Sequence, residues 1–326
     1  MSVSPGDGST APIVIVEDVW AEPFARLAAD IPIIRVPGLS PAPDQLAAAL
    51  LGAGTLVVRN RTVVTASLLD SAPSVRLIAR AGVGLETIDV AAADARGVAV
   101  IAGIGANAVS VAELAVGLAL ALLRSIPQHD ARVRDGGWQR SPGRELSGAR
   151  WGLIGCGATG RATAQLLTGF GCEVLGYDPL VAADASPPGI TRTTLADLLT
   201  RSQVISLHVP VTDSTVGLIN AETLASMRPD AILINVARGE IVDETALAAA
   251  LTSGVIAGAA LDVRSTEPPA PGPLDTAPNL ILTPHIAGIT GESQERIAEM
   301  LAADIRRAYA GQSLAHAVGT SSRVNW

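Results

Sequence analysis

Residues 151–160 read WGLIGCGATG, an apolar strand pattern that runs into a glycine-rich turn and then into a helical pattern. Gly155, Gly157 and Gly160 have the spacing G-x-G-x-x-G, which 32 glycines can also produce by chance. The strand before it and the helix after it are the context that a dinucleotide-binding turn requires. The first glycine permits a tight turn, the second admits a pyrophosphate, and the third lets the helix pack on the strand. The stretch predicts a parallel α/β domain that binds a dinucleotide.

An acidic residue follows at the end of the next predicted strand. Asp178 comes directly after the predicted strand 173–177. A carboxylate at this position accepts hydrogen bonds from ribose hydroxyls and repels a 2′-phosphate, which favours NAD over NADP. The alternative is a glycine turn with an incidental aspartate, and the strand and helix around the turn argue against it.

Apolar strands alternate with Ala- and Leu-rich helices along almost the whole chain. Continuous apolar strands separated by helices are typical of a parallel sheet that is buried on both faces. The segment 107–125 is apolar almost all round, so we expect it to be buried between domains or against another subunit. The predicted strands before the glycine-rich turn are 12–17, 31–36, 55–59, 76–79 and 97–101.

The composition excludes several classes of function. The 326 residues are enough for two domains, and a net charge of −8 argues against a nucleic-acid partner. All 23 basic residues are arginines, which excludes a Schiff-base or P-loop lysine. Two cysteines predict no Cys-rich metal site. Because no apolar run reaches the roughly 20 residues of a membrane span, we expect a cytoplasmic protein without membrane attachment.

Three polar segments each follow the end of a predicted strand. Ligands bind at the carboxyl ends of the strands in open parallel sheets, so we expect Arg238, Glu267 and His285 to converge there. A histidine with a carboxylate partner is an acid–base pair, and an arginine beside it can bind a substrate carboxylate. His285 alone is more simply a capping or core histidine; its two neighbours favour the catalytic interpretation. The segments are 235–239 (NVARG), 262–267 (DVRSTE) and 284–288 (PHIAG).

These motifs, taken in order, resemble the D-isomer-specific 2-hydroxyacid dehydrogenase family, which includes phosphoglycerate dehydrogenases and glyoxylate/hydroxypyruvate reductases. The resemblance extends over residues 55–296. It implies NAD-dependent hydride transfer at C2 of a small 2-hydroxy or 2-oxo acid. The motifs that carry it are RAGVG at 80–84, GAN at 105–107, VAE at 111–113, the glycine-rich turn, HVP at 208–210, NVARG at 235–239, AALDV at 259–263, EP at 267–268 and PHIAG at 284–288.

The resemblance also implies residue roles. Arg238 would bind the substrate carboxylate and carbonyl, and Glu267 would be the partner of His285, which donates or accepts the proton. The backbone of Val83 and Gly84 would bind the substrate carboxylate. The implied cofactor-binding residues are Gly155, Gly157, Ala158, Thr159, Gly160, Asp178, Val209, Pro210, Thr215, Val236, Ala237, Arg238, Asp262 and His285.

The architecture that the resemblance implies is α/β, with two Rossmann-like, doubly wound parallel-sheet domains. Residues 1–104 and 289–326 would form a discontinuous, flavodoxin-like substrate domain. Residues 105–288 would form the NAD-binding domain. A homodimer is also implied, with an interface that uses the apolar helix 107–125 and an arm at residues 128–148.

Three positions depart from the family pattern. Glu86-Thr87 stands where Asp-Asn is common, Ala158 where an arginine is common, and Gly103-Ile104 where Thr-Pro is usual. The first and third bear on substrate identity. Two alternatives share this scaffold, a formate- or phosphite-type dehydrogenase and an NAD-sensing transcriptional corepressor. The lack of a basic surface argues against the corepressor.

Arginines near the ends of two predicted strands indicate an anion site. Arg59 and Arg61 follow the predicted strand at 55–58, and Arg80 leads into the turn at 82–84. Together they predict a substrate with a second anionic group, such as a sulfonate, phosphonate, phosphate or second carboxylate. In the alternative interpretation, one arginine of the 59–61 pair points to solvent and the other pairs with a surface acid, while Arg80 braces its turn.

Overall fold

The computed structural model describes residues 10–38, 43–179 and 187–326. The chain forms two compact units, which we call unit 1 (Met1–Asn107 and Ile289–Trp326) and unit 2 (Ala108–Gly288). Residues 1–9 and 39–42 of the first predicted domain, and residues 180–186 of the second, lie outside the described ranges.

Unit 1 is built on a six-stranded sheet. Its strands are β1 (Ile13–Ile15), β2 (Ile33–Arg35), β3 (Thr55–Val58), β4 (Leu77–Arg80), β5 (Ala99–Ala102) and β13 (Ala317–Val318). The strand order is β13-β5-β4-β3-β1-β2, and all pairs are parallel except β13 with β5. The helices are α1 (Ala21–Ala25), α2 (Pro43–Ala49), α3 (Ala66–Ser71), α4 (Val90–Ala95) and α11 (Gly291–Tyr309).

Unit 2 is built on a seven-stranded, fully parallel sheet. Its strands are β6 (Arg150–Ile154), β7 (Glu173–Tyr177), β8 (Thr191–Arg192), β9 (Val204–Leu207), β10 (Ile232–Asn235), β11 (Gly258–Leu261) and β12 (Leu280–Leu282). The order is β12-β11-β10-β9-β6-β7-β8. The helices are α5 (Ala108–Leu123), α6 (Ile126–Arg134), α7 (Ala158–Thr168), α8 (Leu195–Arg201), α9 (Ala221–Ser226) and α10 (Glu244–Ser253).

Strands β9, β10 and β11 are buried along their whole length, as the uninterrupted apolar runs predict. Their carboxyl ends form one edge of the sheet, and the glycine-rich turn follows β6, which pairs with β9. The sequence-predicted site residues of unit 2 lie on segments that follow strands of this sheet. Helix α5 contributes Val111, Ala115 and Ala119 to the same core as Trp151 of β6, so this part of its apolar surface is buried within unit 2.

Several short elements are not predicted from the sequence, and α9 and β13 are two of them. Helix α9 has only six residues, too few for a periodicity, although Asn220 and Thr223 form a capping box at its start. The sequence predicts an irregular tail after α11, but this segment contains β13. The buried carboxylate of Asp304 accepts the N–H groups of Ala315 and His316 and so holds the segment against unit 1.

Within the described residues, no single helix is long and apolar enough to cross a membrane. Helices α5 and α6 reach that length only as a pair bent by 60°.

Candidate active site

The glycine-rich turn has the shape of a pyrophosphate cradle. Gly155 has φ +101°, and a Cβ there would lie 2.7 Å from the carbonyl carbon of His208. A Cβ at Gly160 would overlap the Gly155 carbonyl oxygen, whereas one at Gly157 would meet no atom within 4 Å. The first and third glycines are therefore closely packed and the second faces open space. With α7 starting at Ala158, the turn fits a dinucleotide phosphate at a helix N-terminus.

Asp178 lies beside this turn, where a ribose is expected. Its Oδ2 accepts a hydrogen bond from the backbone N–H of Cys156 at 2.8 Å. Arg192 donates from Nη2 to the Asp178 carbonyl oxygen at 3.3 Å. A guanidinium thus binds the backbone of the residue that carries the carboxylate.

The base of the turn is a chain of buried polar groups. The indole N–H of Trp151 donates to Ser206 Oγ at 2.7 Å, and this oxygen lies 2.9 Å from His208 Nε2. Burial lowers the pKa of His208 to about 4, so its imidazole is neutral at pH 7 and unsuited to donate a proton there. Burial, and then the charge of Asp178, raise the pKa of the Cys156 thiol to about 11, so this cysteine stays protonated.

The structure brings Glu267 and His285 into direct contact. His285 Nδ1 lies 2.7 Å from Glu267 Oε2, and the two side chains are 48 % and 39 % exposed. The other oxygen of Glu267 accepts the backbone N–H of Arg264 at 3.1 Å. Because Nδ1 faces the carboxylate, Nε2 is the nitrogen that can exchange a proton with a ligand.

His285 has a strained backbone that Asp262 holds in place. Its φ is +55°, a left-handed conformation that costs about 1–3 kcal/mol in a non-glycine residue and persists where the surroundings fix it. The Asp262 carbonyl accepts the N–H of His285 at 2.7 Å. Its buried carboxylate accepts Thr283 Oγ1 at 2.6 Å and the N–H groups of Ile286 and Ala287 at 2.9 and 2.7 Å. Asp262 therefore orients the histidine turn; its predicted role in cofactor binding stays a prediction.

Arg238 lies on the loop that follows β10, and the buried side chain of Asn235 shapes that loop. Asn235 Oδ1 accepts the N–H of Ala237 at 3.0 Å, and its Nδ2 donates to the Arg238 carbonyl at 2.8 Å. A Cβ on Gly239 would overlap the backbone of Arg264 and Ser265. The loop that carries Arg238 is thus packed backbone against backbone on the loop that leads to Glu267.

A largely buried ion pair anchors the second of these loops to α10. Arg264 donates from Nη2 to Glu244 Oε2 at 2.8 Å and from Nε to Oε1 at 3.1 Å. The N–H of Ser265 also donates to Glu244 at 2.8 Å. Burial raises the pKa of Glu244, but these donors and the Arg264 charge hold it below its usual value. Sequence reasoning missed this pair, because no motif links positions 244 and 264.

Three of the predicted cofactor-binding residues, Val209, Pro210 and Thr215, lie in a compact turn beside the glycines. Thr215 donates from Oγ1 to the Pro210 carbonyl at 2.7 Å and accepts the N–H of Thr212 at 2.7 Å. Val209 is buried, and its Cγ1 lies 3.0 Å from the Cβ position of Gly155. The Thr215 hydroxyl is thus used within the turn.

The predicted substrate residues of unit 1 lie at one sheet edge, where Val58 of β3 pairs with Arg80 of β4. The buried Arg80 donates from Nε to the Gly84 carbonyl at 2.9 Å, so its observed contact braces the turn that contains Val83. Arg59 follows Val58 directly, at the same edge.

Comparison with known proteins gives relatives along the whole chain. The family model for the NAD-binding domain of D-isomer specific 2-hydroxyacid dehydrogenases matches residues 116–287. D-3-phosphoglycerate dehydrogenase of Mycobacterium tuberculosis is 42 % identical over 317 residues, or 96 % of this chain and 60 % of that protein. The enzyme of the same name from Archaeoglobus fulgidus is 41 % identical over 82 % of this chain and 51 % of its own length. The chain thus spans about half to 60 % of the length of these relatives.

Solved structures resemble the chain over almost their full length. The TT0316 protein from Thermus thermophilus is 32 % identical with a TM-score of 0.86, covering 94 % of this chain and 100 % of that chain. An NADPH-dependent glyoxylate/hydroxypyruvate reductase from Sinorhizobium meliloti, solved with NADP and malonate, is 29 % identical with a TM-score of 0.84, covering 97 % of this chain and 99 % of that one.

Proposed function

Because the chain belongs to the family of D-isomer-specific 2-hydroxyacid dehydrogenases, we propose that it interconverts a D-2-hydroxy acid and its 2-oxo acid with NAD. The observation that carries this proposal is the 2.7 Å contact between His285 Nδ1 and Glu267 Oε2, on the sheet edge that also bears the glycine-rich turn. When bound, the nicotinamide supplies the hydride acceptor or donor for C2.

The chain's own residues handle the proton and the charges. In reduction, His285 gives a proton from Nε2 to the C2 oxygen, and the Glu267 charge stabilises the imidazolium beforehand. Arg238 binds the substrate carboxylate and polarises the carbonyl. The backbone N–H groups of Val83 and Gly84 bind the carboxylate as well. In oxidation, neutral His285 takes the proton back.

Turnover with a panel of acids tests the reaction. NADH consumption is measured with glyoxylate, pyruvate, oxaloacetate, 3-sulfopyruvate and 3-phosphohydroxypyruvate, and NAD reduction with both enantiomers of each chiral hydroxy acid. We expect reduction of 2-oxo acids and oxidation of D-enantiomers alone. Activity confined to formate or phosphite, or no activity with any acid, would contradict the proposal.

The first prediction concerns the cofactor. Asp178→Ala should raise the KM for NADH and lower the KM for NADPH, because the substitution removes the ribose acceptor and the negative charge that repels a 2′-phosphate. Steady-state kinetics with both cofactors measure this change. Asp197→Asn is the matched control, since this exposed carboxylate lies on α8. A wild type that uses NADPH as well as NADH would show that Asp178 does not select the cofactor.

The second prediction concerns the substrate. We propose that Arg59 binds a second anionic group, since the curated relatives are named for a phosphorylated acid and Arg59 lines a cavity of about 490 Å³. Arg59→Ala should lower kcat/KM for a dianionic 2-oxo acid by about one to two decades, because losing a charge-assisted hydrogen bond costs roughly 1.5–3 kcal/mol. Glyoxylate and pyruvate should be nearly unaffected.

The control for this prediction is Arg76→Ala, which removes an arginine whose guanidinium binds the Pro73 and Val75 carbonyls in the same unit. Equal losses with monoanionic and dianionic substrates in Arg59→Ala would make Arg59 a structural residue. A wild type that prefers pyruvate or a branched aliphatic 2-oxo acid would exclude the anion site.

We further propose that the enzyme is a homodimer that uses α5 and the arm at 128–148. The support is an exposed apolar surface around α6. Ile126 and Val133 are exposed, and Trp138 is 75 % exposed, which is the kind of surface that a partner subunit covers.

A further inference from the structure

A buried carboxylate lies directly under the loop that carries Arg59 and Arg61. Glu17 follows β1 by two positions and is only 7 % exposed. One of its oxygens accepts the backbone N–H groups of Arg59 and Thr62, both at 2.9 Å. The other accepts those of Asn60 and Arg61, both at 3.0 Å. Four consecutive amides of the loop therefore converge on one side chain.

The guanidinium groups of this loop remain available to a ligand. Arg59 Nη1 donates to the Asp18 carbonyl at 3.4 Å, which is a long contact to an uncharged group. Across residues 10–38, 43–179 and 187–326, the guanidinium group of neither Arg59 nor Arg61 lies within 4.0 Å of a carboxylate oxygen. Both arginines line a cavity of about 490 Å³, together with residues 16–18, Gly38 and Asn60.

We propose that Glu17 is a positioning residue that sets the specificity for dianionic substrates, by holding residues 59–62 in the conformation that presents Arg59 and Arg61 to the cavity. This inference rests on the proposed function, since it needs a second anionic group on the substrate. The amides themselves are occupied by Glu17, so the arginine side chains, and not the backbone, recognise the ligand. That favours a sulfonate, phosphate or carboxylate, which guanidinium groups bind in bidentate fashion.

The charge and the position of Glu17 predict effects of opposite sign. A negative charge near the cavity repels an anion, so removing the charge alone would tighten the binding of a dianionic substrate. Removing the acceptors frees the loop, which would weaken that binding. Glu17→Gln removes the charge and also places an NH₂ group against two N–H donors, so the sign of the change in affinity shows which of the two effects is larger.

The test is the KM for 3-sulfopyruvate and 3-phosphohydroxypyruvate beside the KM for pyruvate, in the full chain. In Glu17→Gln we expect the KM for the dianionic substrates to rise about tenfold or more. The reason is that the displaced loop no longer forms its charge-assisted hydrogen bonds to the second anionic group. We expect kcat and the pyruvate KM to change little. Glu17→Asp keeps the charge on a shorter side chain and should recover part of the dianion affinity.

Asp304→Asn is the matched control. Asp304 is also a fully buried carboxylate of unit 1 that accepts backbone N–H groups, but it binds Ala315 and His316, not the arginine loop. This variant should lose stability and keep the wild-type ratio of the two KM values. Amide hydrogen exchange gives a second readout. The amides of residues 59–62 should exchange faster in Glu17→Gln than in the wild type, and at the wild-type rate in Asp304→Asn.

The outcomes separate this inference from the proposed substrate class. A wild type with no preference for dianions overturns the substrate class and this inference with it. A wild type that prefers dianions, with a Glu17→Gln variant that keeps or strengthens the preference, overturns this inference alone. If Glu17→Gln does not fold, Glu17→Asp decides, since equal changes in both KM values would make Glu17 purely structural.

Discussion

His285→Asn should lower kcat for 2-oxo acid reduction by about 10²–10⁴-fold, the range that a positioned acid–base group contributes. Asparagine keeps the polarity and part of the volume of the side chain but has no titrating nitrogen. NADH affinity should change little, because the phosphate cradle lies on β6 and α7 and the histidine lies after β12. Single-turnover kinetics and NADH fluorescence titration measure the two quantities separately.

The pH dependence of the same step provides the control. Reduction needs imidazolium and oxidation needs neutral imidazole, so the reductive rate should fall and the oxidative rate should rise with increasing pH. Glu267→Gln removes the negative charge 2.7 Å from Nδ1 and should move both profiles to lower pH. Glu222→Gln, an exposed acid in the first turn of α9, should leave them in place. An unmoved profile in Glu267→Gln would exclude the acid–base pair.

Gly239→Ala should lower kcat/KM by about 10²-fold or more with every substrate. The new Cβ would overlap backbone atoms of Arg264 and Ser265, which cannot rotate away as a side chain can. One or both loops must move, and a displacement of about 1 Å at a catalytic group costs on the order of 10²-fold in rate. The first loop carries Arg238 and the second leads to Glu267, so both side chains should be displaced.

Gly169→Ala is the control for this variant. Gly169 ends α7 with φ −65° and ψ −23°, and its Cβ would meet only the Leu166 carbonyl oxygen at an ordinary 3.6 Å. This variant should keep wild-type activity and stability. Wild-type kinetics in Gly239→Ala would mean that the close packing of the two loops does not govern the reaction.

The sequence predicts most of what depends on local pattern. Apolar runs and helical periodicity give two parallel α/β units, and this fold class is confirmed. The family and the NAD-binding domain are confirmed as well. The glycine-rich turn can be predicted because the residues that form it are six contiguous positions. Arg238, Glu267 and His285 can be predicted as a group because each lies on the segment that follows a strand of one sheet.

What the sequence does not predict is the support beneath these residues. Glu17 reaches residues 59–62, and Arg264 reaches Glu244, only after the strands have paired. Asp262 belongs to a recognised motif, yet its carboxylate turns inward to the 283–287 loop. Buried polar contacts of this kind have no period and no fixed spacing, so tertiary structure alone shows them.

The return of the chain to unit 1 at Ile289 constrains the order of folding. Ala317 pairs with Ile101 although the whole of unit 2 lies between them in the chain. Unit 2 is continuous and can form as soon as its own residues have left the ribosome. The edge strand of unit 1 cannot join its sheet until much later in synthesis, and closing so long a loop slows its formation. Unit 1 therefore matures last, and chains truncated before β13 should expose the edge of β5.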